Sequence, residues 1–214
     1  YVRINAVDTE WHAGDLAAVG STPGLRGVVL PKADDPAKIA ATAAALPAGV
    51  PVLPLVESAA GVQNVAAVAA APRVEALIFG SLDLGLDLGI DGGTPAGDVN
   101  LLYARSRLVI ASRAAGIAAP IDGVTTDVDH PESAAADASL VRHLGFGGKL
   151  CVDLLQIAEV NAAFAPSDDE LRWARRVLAL VDGADGEVVL RLDGRLIDKP
   201  VVSRAQRILA EVGR

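Results

Sequence analysis

Apolar residues fall along this chain in two alternating patterns. Short and nearly unbroken apolar runs occupy VRIN (2–5), GVVLP (27–31), VPVLPLV (50–56), ALIF (76–79), API (119–121) and KLCV (149–152). A run that is apolar at every position suits a strand buried on both faces, so these runs predict a parallel sheet rather than one-sided antiparallel strands. Between them the apolar positions return at helical spacing. PAKIAATAAAL follows Asp35, a candidate N-cap with Pro36 in the first turn, and AGVQNVAAVAAA follows Ser58. In VNLLYARSRLVIASRAAG, Leu101, Ala104, Leu108 and Ala111 form one stripe that ends at Gly116. PESAAADASLVRHLG and LQIAEVNAAF complete the series. Strand and helix alternating at this spacing predict an α/β fold with a parallel sheet.

Around Pro166 the pattern changes. Ser167 with Glu170 three residues on predicts a capping box that opens a helix through about Leu180. EVVLRLDGRLID then reads as a hairpin turning on Asp193-Gly194, a dipeptide that tolerates the positive φ angles of a type I′ turn. A helix over PVVSRAQRILAEV follows. The expected organisation is an α/β domain over residues 1–166 and a helix–hairpin–helix arm over 167–214.

Charged residues interrupt this pattern at particular places. VLPLVESAAG (52–61) closes an apolar run on Glu57, and ALIFGSLDLG (76–85) closes the next near Asp83. In parallel α/β folds functional groups collect at the carboxyl ends of strands. One strand–helix–strand unit brings two such ends side by side, where two carboxylates repel unless a cation lies between them. Magnesium suits that arrangement, since it prefers oxygen ligands and often takes only one or two carboxylates. The competing reading is that Glu57 caps the next helix and Asp83 pairs with a surface cation. Arg3 sits inside an apolar strand pattern, as a fork for a substrate carbonyl or carboxylate or as half of a buried ion pair. Lys32, just past GVVLP, is placed to meet a phosphate or carboxylate, or lies in a solvated loop. Asp122 either orients a polar ligand or begins the turn at Gly123.

Other signals are weaker. GFGGK (145–149) lacks the spacing of a phosphate-binding loop, and LDLGIDGG (86–93) lacks the final glutamate of a calcium loop. His12, His130 and His143 stand alone, which suits surface or structural roles. Zinc is disfavoured because no His/Cys cluster exists.

Composition narrows the function class. The formal net charge of −8 over 214 residues argues against nucleic acid and anionic membranes as general partners. The one cysteine, Cys151, permits no internal disulfide, reads as buried core, and fits a reducing, cytoplasmic setting. No apolar run reaches membrane-spanning length, and no signal-peptide pattern opens the chain. The chain contains no methionine and opens on YVRIN, already a strand pattern, so preceding sequence is expected to be missing here.

Taken in order, V-R-I-N, V-V-L-P-K, L-V-E-S-A-x-G, F-G-S-x-D-L, I-D-G-V, G-K-L-C-V and L-I-D-K-P resemble the citrate lyase β-subunit-like proteins. These belong to the magnesium-dependent aldolases and lyases with TIM-barrel folds, and the resemblance runs from Tyr1 to about Leu209. It implies a (β/α)8 barrel with a C-terminal arm, usually a homotrimer, that cleaves or forms carbon–carbon bonds in β-hydroxyacyl-CoA thioesters such as citryl-CoA or malyl-CoA. By motif match Glu57 and Asp83 would hold Mg2+, and Arg3 would hold substrate oxygens. Asp198 would be delivered by the arm over a neighbouring subunit's site. Arg26 and Lys32 are candidates for the CoA phosphates. Two departures stand out. The family's first two strands, L-F-V-P-G and one ending L-E-D, have no counterpart, leaving six strands where a barrel needs eight. The C-I-H-P that commonly follows the last strand reads Cys151-Val152-Asp153-Leu154. Two rival expectations are an aldolase acting on free 2-oxo acids and a catalytically inactive paralogue or scaffold subunit.

Overall fold

The computed structural model describes residues 1–90, 95–184 and 190–212, apart from the side chains of 95, 96 and 98. The chain divides into two compact units, Tyr1–Val160 and Asn161–Arg214. The division falls inside a helix, earlier than the boundary expected at 166/167.

The first unit alternates strand and helix: β1 (Val2–Arg3), α1 (His12–Gly20), β2 (Val28–Leu30), α2 (Pro36–Ala45), β3 (Val52–Val56), α3 (Ala59–Ala69) and β4 (Ile78–Phe79). It continues with α4 (Ser81–Leu88), α5 (Pro95–Ala115), β5 (Ile121–Asp122), α6 (Pro131–Leu144), β6 (Gly148–Lys149) and α7 (Gln156–Phe164). The strands form one parallel sheet in chain order, β1-β2-β3-β4-β5-β6. Sequential parallel order, with a helix in every crossover, gives an α/β half-barrel rather than a doubly wound sheet. Each of the six expected strands has a counterpart, shorter than its apolar run; β5 ends one residue later than expected, on Asp122, and β6 shares only Lys149 with its run.

The strand register decides which side chains share a face. Val29 pairs with Leu53, Leu55 with Ile78, and Ile78 with Ile121. Leu53, Leu55, Ala76 and Ile78 form one buried cluster, with Val29, Ile121 and Leu150 packed on it. Side chains alternate along a strand, so Glu57 continues the row of Leu53 and Leu55. Arg3 pairs with Val29 and joins that row from β1. The alternate residues Val28, Leu30, Val52, Val56, Leu77 and Phe79 are wholly buried. Burial on both faces explains why the runs lack polar alternation.

Two helices, α1 and α4, were not expected. Neither has a capping side chain at its N-terminus nor a proline in its first turn, so the usual start signals are missing. By contrast Asp35 accepts from the Ala37 amide, as expected, and Ser58, directly before its helix, accepts from the Gly61 amide.

The second unit holds α8 (Asp168–Asp182), the antiparallel pair β7 (Leu190–Leu192) and β8 (Arg195–Ile197), and α9 (Lys199–Ala210). Ser167 and Glu170 form the capping box. Asp193 and Gly194 both take positive φ (51° and 76°), as a type I′ turn requires. Residues 187–189 of the expected hairpin lie outside the described residues. Ala174, Val177, Ile197, Ala205 and Ile208 make this unit its own core. Among the described residues no helix is long and apolar enough to cross a membrane.

Candidate metal centre

The carboxyl end of β3 runs directly into Glu57, which is only 7% exposed. Its Oε1 accepts a hydrogen bond from the Lys32 amide at 2.9 Å. That amide points at Glu57 because Lys32 adopts φ 50°, the left-handed region that a lysine enters at a cost of about 1 kcal/mol. The β2 and β3 ends are therefore clamped together through one carboxylate oxygen. The β4 end approaches from the other side. A Cβ on Gly80 would overlap the Glu57 side chain, lying 2.8 Å from Oε2, so only glycine lets β4 leave the sheet beside this carboxylate.

Asp83 is not at a strand end, contrary to expectation. Strand β4 stops at Phe79, and Asp83 lies exposed in the first turn of α4. A carboxylate is favoured there by the unpaired amides and partial positive charge of a helix N-terminus. Asp83 nevertheless meets Glu57: Lys32, Glu57, Ser58, Asp83, Leu86 and Asp87 line one open cleft of about 370 Å³. Asp87, one turn on from Asp83, accepts from the Ala59 amide at 2.7 Å and so caps α3 together with Ser58. The helix cap imagined for Glu57 is thus made by these two residues.

Burial pushes the Glu57 carboxyl above its ordinary value. The Lys32 amide works against this, the Asp83 charge adds to it, and Lys32 and Arg3 lower it again. The shift records two carboxylates facing one cleft with incomplete compensation. Among the described residues neither Glu57 nor Asp83 forms an ion pair. An all-oxygen pair with surplus negative charge fits a hard divalent cation such as Mg2+, which accepts few protein ligands and leaves positions for water and substrate. Among the described residues no group of three or more His, Cys, Asp or Glu is gathered as a metal cage.

The other expected residues divide. Arg3 is exposed, and its charge acts on Glu57, so it belongs with the cleft and is not half of a buried ion pair. Lys32 lines the cleft. Arg26 does not belong there: it precedes β2, at the amino end of the sheet, where it acts on Tyr1. Tyr1 in turn donates to Glu75, which precedes β4 at that same end. That end of the sheet lies opposite the carboxyl end where Glu57 stands. Asp198 lies in the second unit, where its side chain accepts from the Val201 amide as the N-cap of α9.

Asp122 is wholly buried. It pairs with Arg105 Nε at 2.9 Å and Lys149 Nζ at 3.1 Å. Neither cation was singled out in the sequence, although a lysine opening the run K-L-C-V is unusual enough to have done so. Cys151 is half-buried beyond β6 rather than inside a strand, and burial pushes its thiol up. His12 bonds the Asn5 carbonyl, His143 bonds the Ser139 carbonyl and His130 pairs with Glu132; none of the three lines the cleft. Residues 91–93 of the calcium-like loop lie outside the described residues.

Residues 1–153 match the model of the HpcH/HpaI aldolase/citrate lyase family. A citrate lyase subunit beta-like protein of Deinococcus radiodurans is 34% identical over 98% of this chain and 74% of its own length. A (3S)-malyl-CoA thioesterase of Cereibacter sphaeroides is 32% identical over 98% of this chain and 73% of its own. The crystal structure of CitE from Mycobacterium tuberculosis, in complex with magnesium, acetoacetate and coenzyme A, superimposes with a TM-score of 0.86. That match is 32% identical and covers 100% of this chain and 78% of the other.

Proposed function

The chain belongs to the HpcH/HpaI aldolase/citrate lyase family, and we propose that it is a magnesium-dependent carbon–carbon lyase acting on a β-hydroxyacyl-CoA thioester of the citryl-CoA or malyl-CoA type. The observation that carries this reading is the shared cleft of Glu57, at the carboxyl end of β3, and Asp83, in the first turn of α4, two carboxylates without an ion pair among the described residues. The CitE relative binds magnesium and coenzyme A, which supports the same pairing of metal and thioester here.

Glu57 and Asp83 would hold Mg2+, which when bound supplies Lewis-acid polarisation of substrate oxygens. Glu57 is held rigid for that role by the Lys32 amide and by the bare backbone of Gly80. Arg3, on the same face of the sheet, offers a forked donor where oxyanion character grows as the carbon–carbon bond breaks. Lys32 adds positive charge at the rim and draws an anionic acyl group inward. Asp198 would exchange the hydroxyl proton, carried by the arm to the site of a neighbouring subunit in a homotrimer. In this reading the six-stranded sheet is part of a closed (β/α)8 barrel. Hydrolysis of the thioester is a second outcome for the same cleft, favoured by the malyl-CoA thioesterase relative.

The test is to offer malyl-, citryl- and hydroxymethylglutaryl-CoA with and without Mg2+, and to follow carbonyl product and free CoA separately. Turnover of one thioester that stops on chelation is the expected result. Absence of both turnover and saturable acyl-CoA binding would overturn it.

A further inference from the structure

The joint between β4 and α4 is Gly80 itself, flanked by the Glu57 side chain and by the bare backbone of Gly123. On one side Gly80 lies against Glu57. On the other, Gly123 lies against the joint itself: a Cβ there would be 2.7 Å from Ser81 Oγ and 3.0 Å from the Phe79 carbonyl oxygen. Ser81 begins the helix that carries Asp83. The separation of the two cleft carboxylates therefore depends on how closely Gly123 presses on this joint.

Gly123 is held from behind by Lys149. The Lys149 ammonium, its side chain 1% exposed, donates to the Gly123 carbonyl at 2.8 Å and pairs with Asp122 Oδ2 at 3.1 Å. It also faces Asp137 Oδ2 at 3.9 Å, a carboxylate that accepts from Thr125 at 2.5 Å. Asp122 takes a second cation, Arg105, on its other oxygen, and that guanidinium lies 5.1 Å over the Phe79 ring, the last residue of β4. The Leu150 amide donates to the Asp122 carbonyl at 2.9 Å, tying the β5 and β6 ends together. Burying an ammonium is costly, and an apolar residue would fill the space more cheaply if only packing were needed. What the apolar residue would not do is hold one particular carbonyl in place.

We propose that Lys149 is a positioning residue for the Glu57–Asp83 cleft: by drawing the Asp122–Gly123 backbone against the β4–α4 joint, it fixes where α4 presents Asp83. The inference rests on the metal reading of that cleft and assigns Lys149 no contact with metal or substrate.

Two variants of the full chain test it, Lys149→Met and Gly123→Ala. The second keeps every ion pair and disturbs only the joint, so it remains informative if the first folds poorly. Mg2+ affinity is read by calorimetry with the metal alone, and amide hydrogen exchange is read in metal-free protein. The expected result is at least tenfold weaker Mg2+ binding with faster exchange confined to α4, while α2 exchanges as in wild type. Exchange that is unchanged at α4, or raised uniformly over α2, α3 and α4, would overturn the proposal. If the wild-type chain takes up no Mg2+, the metal reading falls, and the exchange pattern alone decides whether Lys149 positions α4.

Discussion

The two units of this chain are built on different terms. The formal net charge of −8 falls entirely on the first, because the second balances nine basic residues with nine acidic ones. In the described residues of the second unit the local signals agree with the structure. A capping box opens α8, the turn between β7 and β8 has the residues its φ angles demand, and Asp198 caps α9. Arg176 forks onto Asp193, and Arg204 stacks on Trp173 at 4.9 Å. In the first unit several rules are broken side by side at one cleft. A glutamate is buried at the end of an apolar strand, a lysine takes a left-handed backbone, and an unpaired carboxylate faces another. Local conflicts of this kind persist where function requires them. The contrast marks the Glu57–Asp83 cleft as the candidate site without reference to any relative.

The largest effect expected of any change is that of Glu57→Gln. It removes one of the two charges proposed to hold the metal and should reduce Mg2+-dependent turnover by more than a hundredfold. The metal-free protein should be no less stable, since a neutral amide relieves both the desolvation and the repulsion from Asp83. Calorimetric Mg2+ titration with a thermal melt checks both halves. A fall in metal-free melting temperature would mean that Glu57 is structural and would erase the contrast between the units.

Asp198→Ala asks whether the second unit is only scaffold. Loss of the N-cap should cost about 1 kcal/mol. If Asp198 also serves a neighbouring subunit's site, kcat should fall by orders of magnitude while KM changes little. Partial recovery of activity in oligomers mixed from Asp198→Ala and Glu57→Gln chains would identify a shared site. Unchanged turnover would confine Asp198 to capping.

Gly80→Ala should cost about 1–3 kcal/mol, because the added methyl overlaps the Glu57 side chain. The loss should appear in Mg2+ affinity as well as in melting temperature. The equivalent change at Gly194, which faces open space but has φ 76°, should cost stability alone.

The smallest effect is a slope. The folded-state pKa of Glu57 is raised above its ordinary 4.5. Its contribution to stability is therefore complete below pH 4.5 and is lost as pH rises through the folded pKa. Metal-free protein should show this decline in melting temperature over that interval. Saturating Mg2+ or Glu57→Gln should flatten it.

Much of this architecture is legible in the residues because strand burial on two faces and helix capping are local signals. The six apolar runs, Asp35, Ser58 and Ser167 each state their role within a few positions. What escaped is non-local or unmarked. Helices α1 and α4 begin without caps, so Asp83 reads as a strand end when it is helical. Had α4 been recognised, the spacing of Asp83 and Asp87 would have put both on one helix face, as they are in the cleft. Arg26 and Lys32 flank the same strand and look alike in sequence; only the direction of β2 separates them. The Asp122–Lys149–Arg105 cluster joins residues from three elements, and no spacing rule connects them.

Lys32 carries a wider consequence. Its backbone conformation is one that glycine or asparagine enters more readily. Selection for heat resistance alone would favour replacing it, and that drift would slacken the grip on Glu57 while the rest of the molecule gained. The residue thus marks a point at which hardiness and usefulness pull a descendant of this chain in opposite directions.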